Sequence, residues 1–147
     1  MHINLKHKII YLFATAGLIS GLISTSVMAD VAVIVNPSSG ISAANAGDVK
    51  ALFLGKSKSV GGKHVVAVGQ KEGNGARATF NDKVLGKSGS QLKAYWTKLI
   101  FSGKGSPPKS LADDAAVKAH VAANAGAIGY IDSSKVDGTV TVILTVK

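Results

Sequence analysis

The stretch "VVAVGQKEGNGARATF", Val65 to Phe80, changes its period in the middle. Val65 to Gly69 is a short apolar run that reads as a buried strand, while Ala76 and Phe80, followed by Val84 and Leu85, fall near helical spacing. Gly73 and Gly75 stand between them, and Gly86 closes the helical segment. A strand that enters a helix through a glycine turn is the unit of an α/β fold. The turn then sits at the carboxyl end of a strand and the amino end of a helix.

Outward from this unit the alternation continues. "VAVIVNP", Val31 to Pro37, is a valine-rich run ended by Pro and Ser-Ser-Gly, as expected of a strand buried on both faces, for which a parallel sheet is the natural home. In "NAGDVKALFLG" Asn45 can cap a helix, with Val49, Leu52 and Phe53 on one face and Gly55 as its stop. "KSKSVGGKH" reads as a polar loop. Leu92, Tyr95, Trp96, Leu99 and Ile100 form an i, i+3, i+4, i+7, i+8 stripe, which predicts a helix ending at Gly103. "GKGSPPKS" reads as a loop, because Pro107 and Pro108 cannot continue a helix. An alanine-rich helix from Asp113 should stop at Gly126, and "AIGYI" and "TVTVILTV" read as two closing strands.

The first 29 residues read as an address rather than a fold. Lys6 and Lys8 precede the apolar run Ile9 to Ile23, which is shorter than the ~20 residues of a membrane span. Val27 and Ala29 occupy the −3 and −1 positions of a signal-peptidase site, so cleavage is expected after Ala29 and the protein is expected in the periplasm. Residues 30–147 fit the size of one domain.

Of the 17 basic residues only Lys6 and Lys8 precede Asp30, which leaves fifteen against eight acidic. That excess favours anionic partners, among them phosphate-like ions and membrane surfaces. Nucleic acid is not expected, since no run of aromatics is interleaved with Lys or Arg. The chain has no cysteine, which excludes thiolate metal sites and disulfides. Beyond the leader the histidines are His64 and His120, without ligand spacing, and no G-x-S-x-G turn is present. No catalytic residue, metal site or cofactor is expected.

The glycine turn is the stronger candidate for chemistry. The first four amides of a helix lack intrahelical partners and carry about half a positive charge, which suits an oxyanion. Gly73 and Gly75 can take positive φ and let a ligand approach the backbone. Arg77 can add a cation. The spacing Gly73-x-Gly75-x-x-Ala78 lacks the strand context and following acid of a dinucleotide site. Ser38 and Ser39 also follow a strand and are weaker candidates.

"ALFLGKS" (Ala51 to Ser57), "VVAVGQKEGNGARATF", Tyr95-Trp96 and "VAANAGAIGYI" (Val121 to Ile131), in this order, resemble the phosphate-binding proteins of bacterial phosphate ABC transporters. The resemblance implies a type II periplasmic-binding fold, normally two α/β lobes around the anion. This chain is long enough for one lobe, a mixed sheet flanked by helices. The family's loop runs Arg, two residues, then Gly-Ser-Gly-Thr. Gly73 and Gly75 match its glycines, whereas Gln70 replaces the Arg, Asn74 the Ser and Ala76 the Thr.

The resemblance implies an oxyanion site at Gly73, Asn74, Gly75, Ala76, Arg77 and Gln70, with phosphate or a similar ion as ligand. A lone lobe would need a cover for tight capture, either a second copy in a homodimer or a membrane transporter or receptor. The alternative is an interaction or sensory domain that keeps the fold and has lost the ligand.

Overall fold

The computed structural model describes residues 30–147; the expected leader and its cleavage point lie outside the described residues. Strand β1 (Val31–Val35) is buried at every position, as a run apolar on both faces requires. Val31, Val33 and Val35 face one core, and Ala32 and Ile34 face the other. A 3-10 turn (Pro37–Ser39) leads to helix α1 (Ala46–Phe53), which Asn45 caps by accepting from the Asp48 amide at 2.8 Å.

The chain then runs through β2 (Ser59–Val60), β3 (Lys63–His64) and β4 (Val66–Gln70) into α2 (Gly75–Phe80). A wider π-type turn over Asn81–Leu85 extends α2 and ends at Gly86, whose φ is 63°. Helix α3 (Gly89–Phe101) starts in a reciprocal capping box between Ser88 and Gln91. Then follow β5 (Lys109–Leu111), α4 (Asp114–Ala123), β6 (Ala127–Asp132) and β7 (Thr141–Val146).

Five strands form one mixed sheet in the order β5-β4-β6-β1-β7. Strand β4 is parallel to β5 and β6, but β1 is antiparallel to both β6 and β7. The parallel setting expected for β1 is therefore corrected. Continuous burial reports that both faces are covered, and an antiparallel strand covered by helices on each side has the same signature. Helices α1 and α2, with Leu92 of α3, cover one face; Val117 and Val121 of α4 cover the other.

Three local expectations are also corrected. Lys109 and Ser110, read as loop, belong with Leu111 to an edge strand on β4, and β2 with β3 makes a small hairpin inside the expected polar loop. Both are too short to carry a hydrophobic period. Helix α4 ends at Asn124 in extended geometry, with the Asn124 Nδ2 donating to the His120 carbonyl, and not at Gly126.

Gly129 has a different task. A Cβ placed there would lie 2.6 Å from Val117 Cγ1 and 3.2 Å from Val68 Cγ2, so α4 rests directly on the β6 backbone. Gly129→Ala should therefore cost about 1–3 kcal/mol through overpacking. Gly126→Ala, where a Cβ meets nothing within 4 Å, should stay within about 0.5 kcal/mol of the parent. Urea denaturation of the two variants checks the contrast.

Candidate functional site

The carboxyl ends of β4, β5 and β6 lie together, since these three strands run parallel. Pairing between β4 and β6 covers Val66 with Ala127 and Ala67 with Ile128, and beyond that the strands part. Two side chains fill the opening. The Gln70 amide N–H donates to the Tyr130 hydroxyl at 3.2 Å, and Gln70 Nε2 donates to the Tyr130 carbonyl at 3.0 Å and to Asp114 Oδ1 at 2.6 Å. Asp114 Oδ1 also accepts from the Asp132 amide at 3.1 Å. Two acceptors face the Gln70 amide group, which fixes its orientation with the NH₂ toward them. Its Oε1 is left buried without a partner among the described residues.

Tyr130 is held by aromatic packing as well. Its ring stacks on Phe80 at 4.0 Å between centroids, and Phe80 meets Phe53 edge-on at 4.7 Å. Burial raises the Tyr130 phenol above its ordinary value of 10.0, partly opposed by the bond from Gln70.

Gly73 sits at φ 92°, a conformation that favours glycine, whereas Gly75 is the first residue of α2 and has ordinary helical sign. The expectation of positive φ thus holds for Gly73 alone. Asn74 occupies the cap position of α2, but its side chain does not cap; Nδ2 donates to the Ala112 carbonyl at 2.8 Å and ties the turn to the end of β5. The first bonded amide is Ala78, to the Asn74 carbonyl at 3.2 Å, so Gly75, Ala76 and Arg77 form an edge that no side chain caps.

Arg77 turns back from the helix. Its Nη1 donates to the Gln70 carbonyl at 2.6 Å, and Nη2 lies 3.8 Å from Glu72 Oε1. The guanidinium is a brace on the end of β4 with a carboxylate beside it. A shallow depression outside the turn is shared by Gly73, Gly75 and Arg77 with Ser90 and Lys93 of α3. Lys93 is an exposed cation facing the turn that sequence reasoning missed, because a lone helix lysine reads as a solvated face.

Three expected site residues are placed elsewhere. Gln70 is fully buried, so it supports the turn from beneath and offers no surface to a ligand. Ser38 and Ser39 follow β1, which runs antiparallel to β6 with Val35 opposite Ile128, so they lie at the opposite end of the strands from the glycine turn. There Asn36 Nδ2 donates to the Val121 and Ala122 carbonyls at the end of α4. The rule that ligands gather at strand carboxyl ends brings the two loops together only in a parallel pair.

No family model matches the chain, and no curated protein matches it. Solved structures share its fold. An ABC-type phosphate transport receptor from Vibrio cholerae superposes with a TM-score of 0.62 at 17% identity, over 79% of this chain and 46% of the other. A protein from Clostridium perfringens, described as a phosphate ABC transporter substrate-binding protein and solved with bound phosphate, gives 0.57 at 21%, over 79% and 45%. PstS from Borrelia burgdorferi gives 0.57 at 11%, over 78% and 47%. The chain therefore shares the α/β fold of these proteins and spans somewhat less than half of their length.

Tyr130→Phe removes the acceptor of the buried Gln70 N–H and should cost about 1–3 kcal/mol. The raised phenol also sets a sign. The unfolded chain ionises near pH 10 while the folded chain holds its proton, so this contribution is complete below pH 10 and is lost as pH rises through the folded value. Denaturation measured across alkaline pH should show a shallower decline for Tyr130→Phe than for the parent.

Proposed function

We propose that the chain is an exported oxyanion-binding protein, taking phosphate or a similar ion at the amino end of α2. The observation that carries this reading is the uncapped amide edge of Gly75, Ala76 and Arg77, beside which Asn74 bonds Ala112 rather than the helix. Amides aimed outward at a helix start suit a tetrahedral oxyanion. Lys93 supplies a cation from α3 across the same depression. The fold shared with phosphate-binding proteins supports the choice of ligand class. Export through residues 1–29, a place in the periplasm, organisation of 30–147 as one domain and a membrane transporter as partner belong to the same proposal.

The expected affinity is modest. Three charge-assisted bonds at about 1.5 kcal/mol each reach the 4.1 kcal/mol of a millimolar constant and fall short of the 8.2 kcal/mol of a micromolar one. The depression is open, and Glu72 competes with an anion for Arg77. A cover, by a second copy or by a membrane partner, would raise retention.

A second reading is favoured by one observation. Arg77 is already bonded to the Gln70 carbonyl and flanked by Glu72, and Asn74 is bonded to Ala112, so the polar side chains of the turn are satisfied within the protein. That state fits an interaction or sensory domain that has kept the fold without the ligand.

Thermal unfolding with phosphate, sulfate and arsenate against ionic-strength-matched chloride separates the two. An oxyanion at 100 times its dissociation constant adds about 2.7 kcal/mol and should raise the midpoint by roughly 10 °C. Glu72→Gln should enlarge the shift at a given phosphate concentration, and Lys93→Ala should reduce it. No shift at tens of millimolar oxyanion would leave the interaction reading.

A further inference from the structure

The acidic and basic residues are unevenly placed along the chain. Between Asp82 and Asp113 there are six lysines and no Asp or Glu. That span contains the whole of α3 and the loop after it, and it also holds two of the three large hydrophobic side chains most exposed among the described residues. Phe101 is 93% exposed and Ile100 55%, side by side at the carboxyl end of α3. Lys93 and Lys98 share one stretch of surface with Phe101, and exposed Lys104 follows in the loop. Among the described residues none of these three lysines pairs with a carboxylate. Cations at a helix carboxyl end suit its dipole, which accounts for Lys98 but not for a bare phenyl ring beside it.

We infer that the carboxyl end of α3 docks on an anionic phospholipid surface, with Phe101 and Ile100 entering the interface and Lys93, Lys98 and Lys104 meeting lipid phosphates. An apolar tip beside long cations is the chemistry of interfacial membrane contact, where stems lie along acyl chains and ammonium groups stay at the headgroups. Charge complementarity selects the occupant. A second copy would bring the same lysines against themselves, so the surface opposes self-pairing. A protein partner would need a preformed acidic pocket for Phe101, whereas a fluid interface accepts a convex tip of any outline. Among the described residues no helix is long and apolar enough to cross a membrane, so the contact is peripheral. This inference shares only Lys93 with the oxyanion site, and the variants that test it leave Lys93 in place.

Vesicle flotation of the chain from Asp30 onward, which holds every strand and both cores found among the described residues, tests it. Phosphatidylcholine vesicles containing phosphatidylglycerol should carry the protein, pure phosphatidylcholine should not, and added salt should release it. Phe101→Ser should weaken binding at least about tenfold with an unchanged unfolding midpoint. Lys98→Ala with Lys104→Ala should weaken it by about thirty-fold. Equal flotation of Phe101→Ser and parent overturns the inference, as does absence of binding to the anionic vesicles. A salt-independent dimer that Phe101→Ser dissociates, without vesicle binding, would assign the tip to a second copy instead.

Discussion

Where β4 and β6 part, backbone groups that a regular sheet would pair lose their partners inside the protein. Buried amides and carbonyls must be satisfied, and here the residues at the opening satisfy one another. The Tyr130 hydroxyl takes the Gln70 N–H, and the Gln70 side chain takes the Tyr130 carbonyl and an oxygen of Asp114. Three elements are locked by this exchange: the end of β4, the middle of β6 and the start of α4. The position of the glycine turn follows, because the chain leaves β4 from a point fixed on both sides. Arg77 adds a further bond, from α2 back to the Gln70 carbonyl.

This arrangement separates support from exposure at the candidate site. Gln70, Tyr130 and Asp114 work beneath the turn, while the amide edge of α2 and Lys93 face outward. An Arg at position 70 would place a guanidinium in a buried slot already facing a carboxylate oxygen and a carbonyl. Gln70 meets the same acceptors without a charge to bury, which avoids the cost of desolvating an ion. Any cation for a ligand has to come from elsewhere, and Arg77 and Lys93 are the cations around the depression.

The helix periods of α1 and α2 were legible because each buries one clear face. Val49, Leu52 and Phe53 pack as their spacing predicts, and so does Leu92. The α3 stripe is only partly used: Tyr95 and Trp96 are half-buried, with the Tyr95 hydroxyl donating to the Leu54 carbonyl at 2.6 Å, and Ile100 is exposed. Spacing reports which side chains share a face and cannot report how far a neighbour extends along it. The short strands β2, β3 and β5 were missed for the opposite reason, since two or three residues contain no period.

Local sequence therefore determined the elements, the glycine turn and the excess of positive charge, all of which depend on residues near one another in the chain. Tertiary structure decided strand direction, and with it the separation of Ser38 and Ser39 from the turn. It also decided that Gln70 is a buried brace, that Arg77 folds inward, and that Lys93 and Phe101 face solvent. The Gln70 brace depends on partners many residues away. Gln70 meets Asp114 and Tyr130 only because a parallel strand and a crossing helix return them to it, and no local pattern encodes that return.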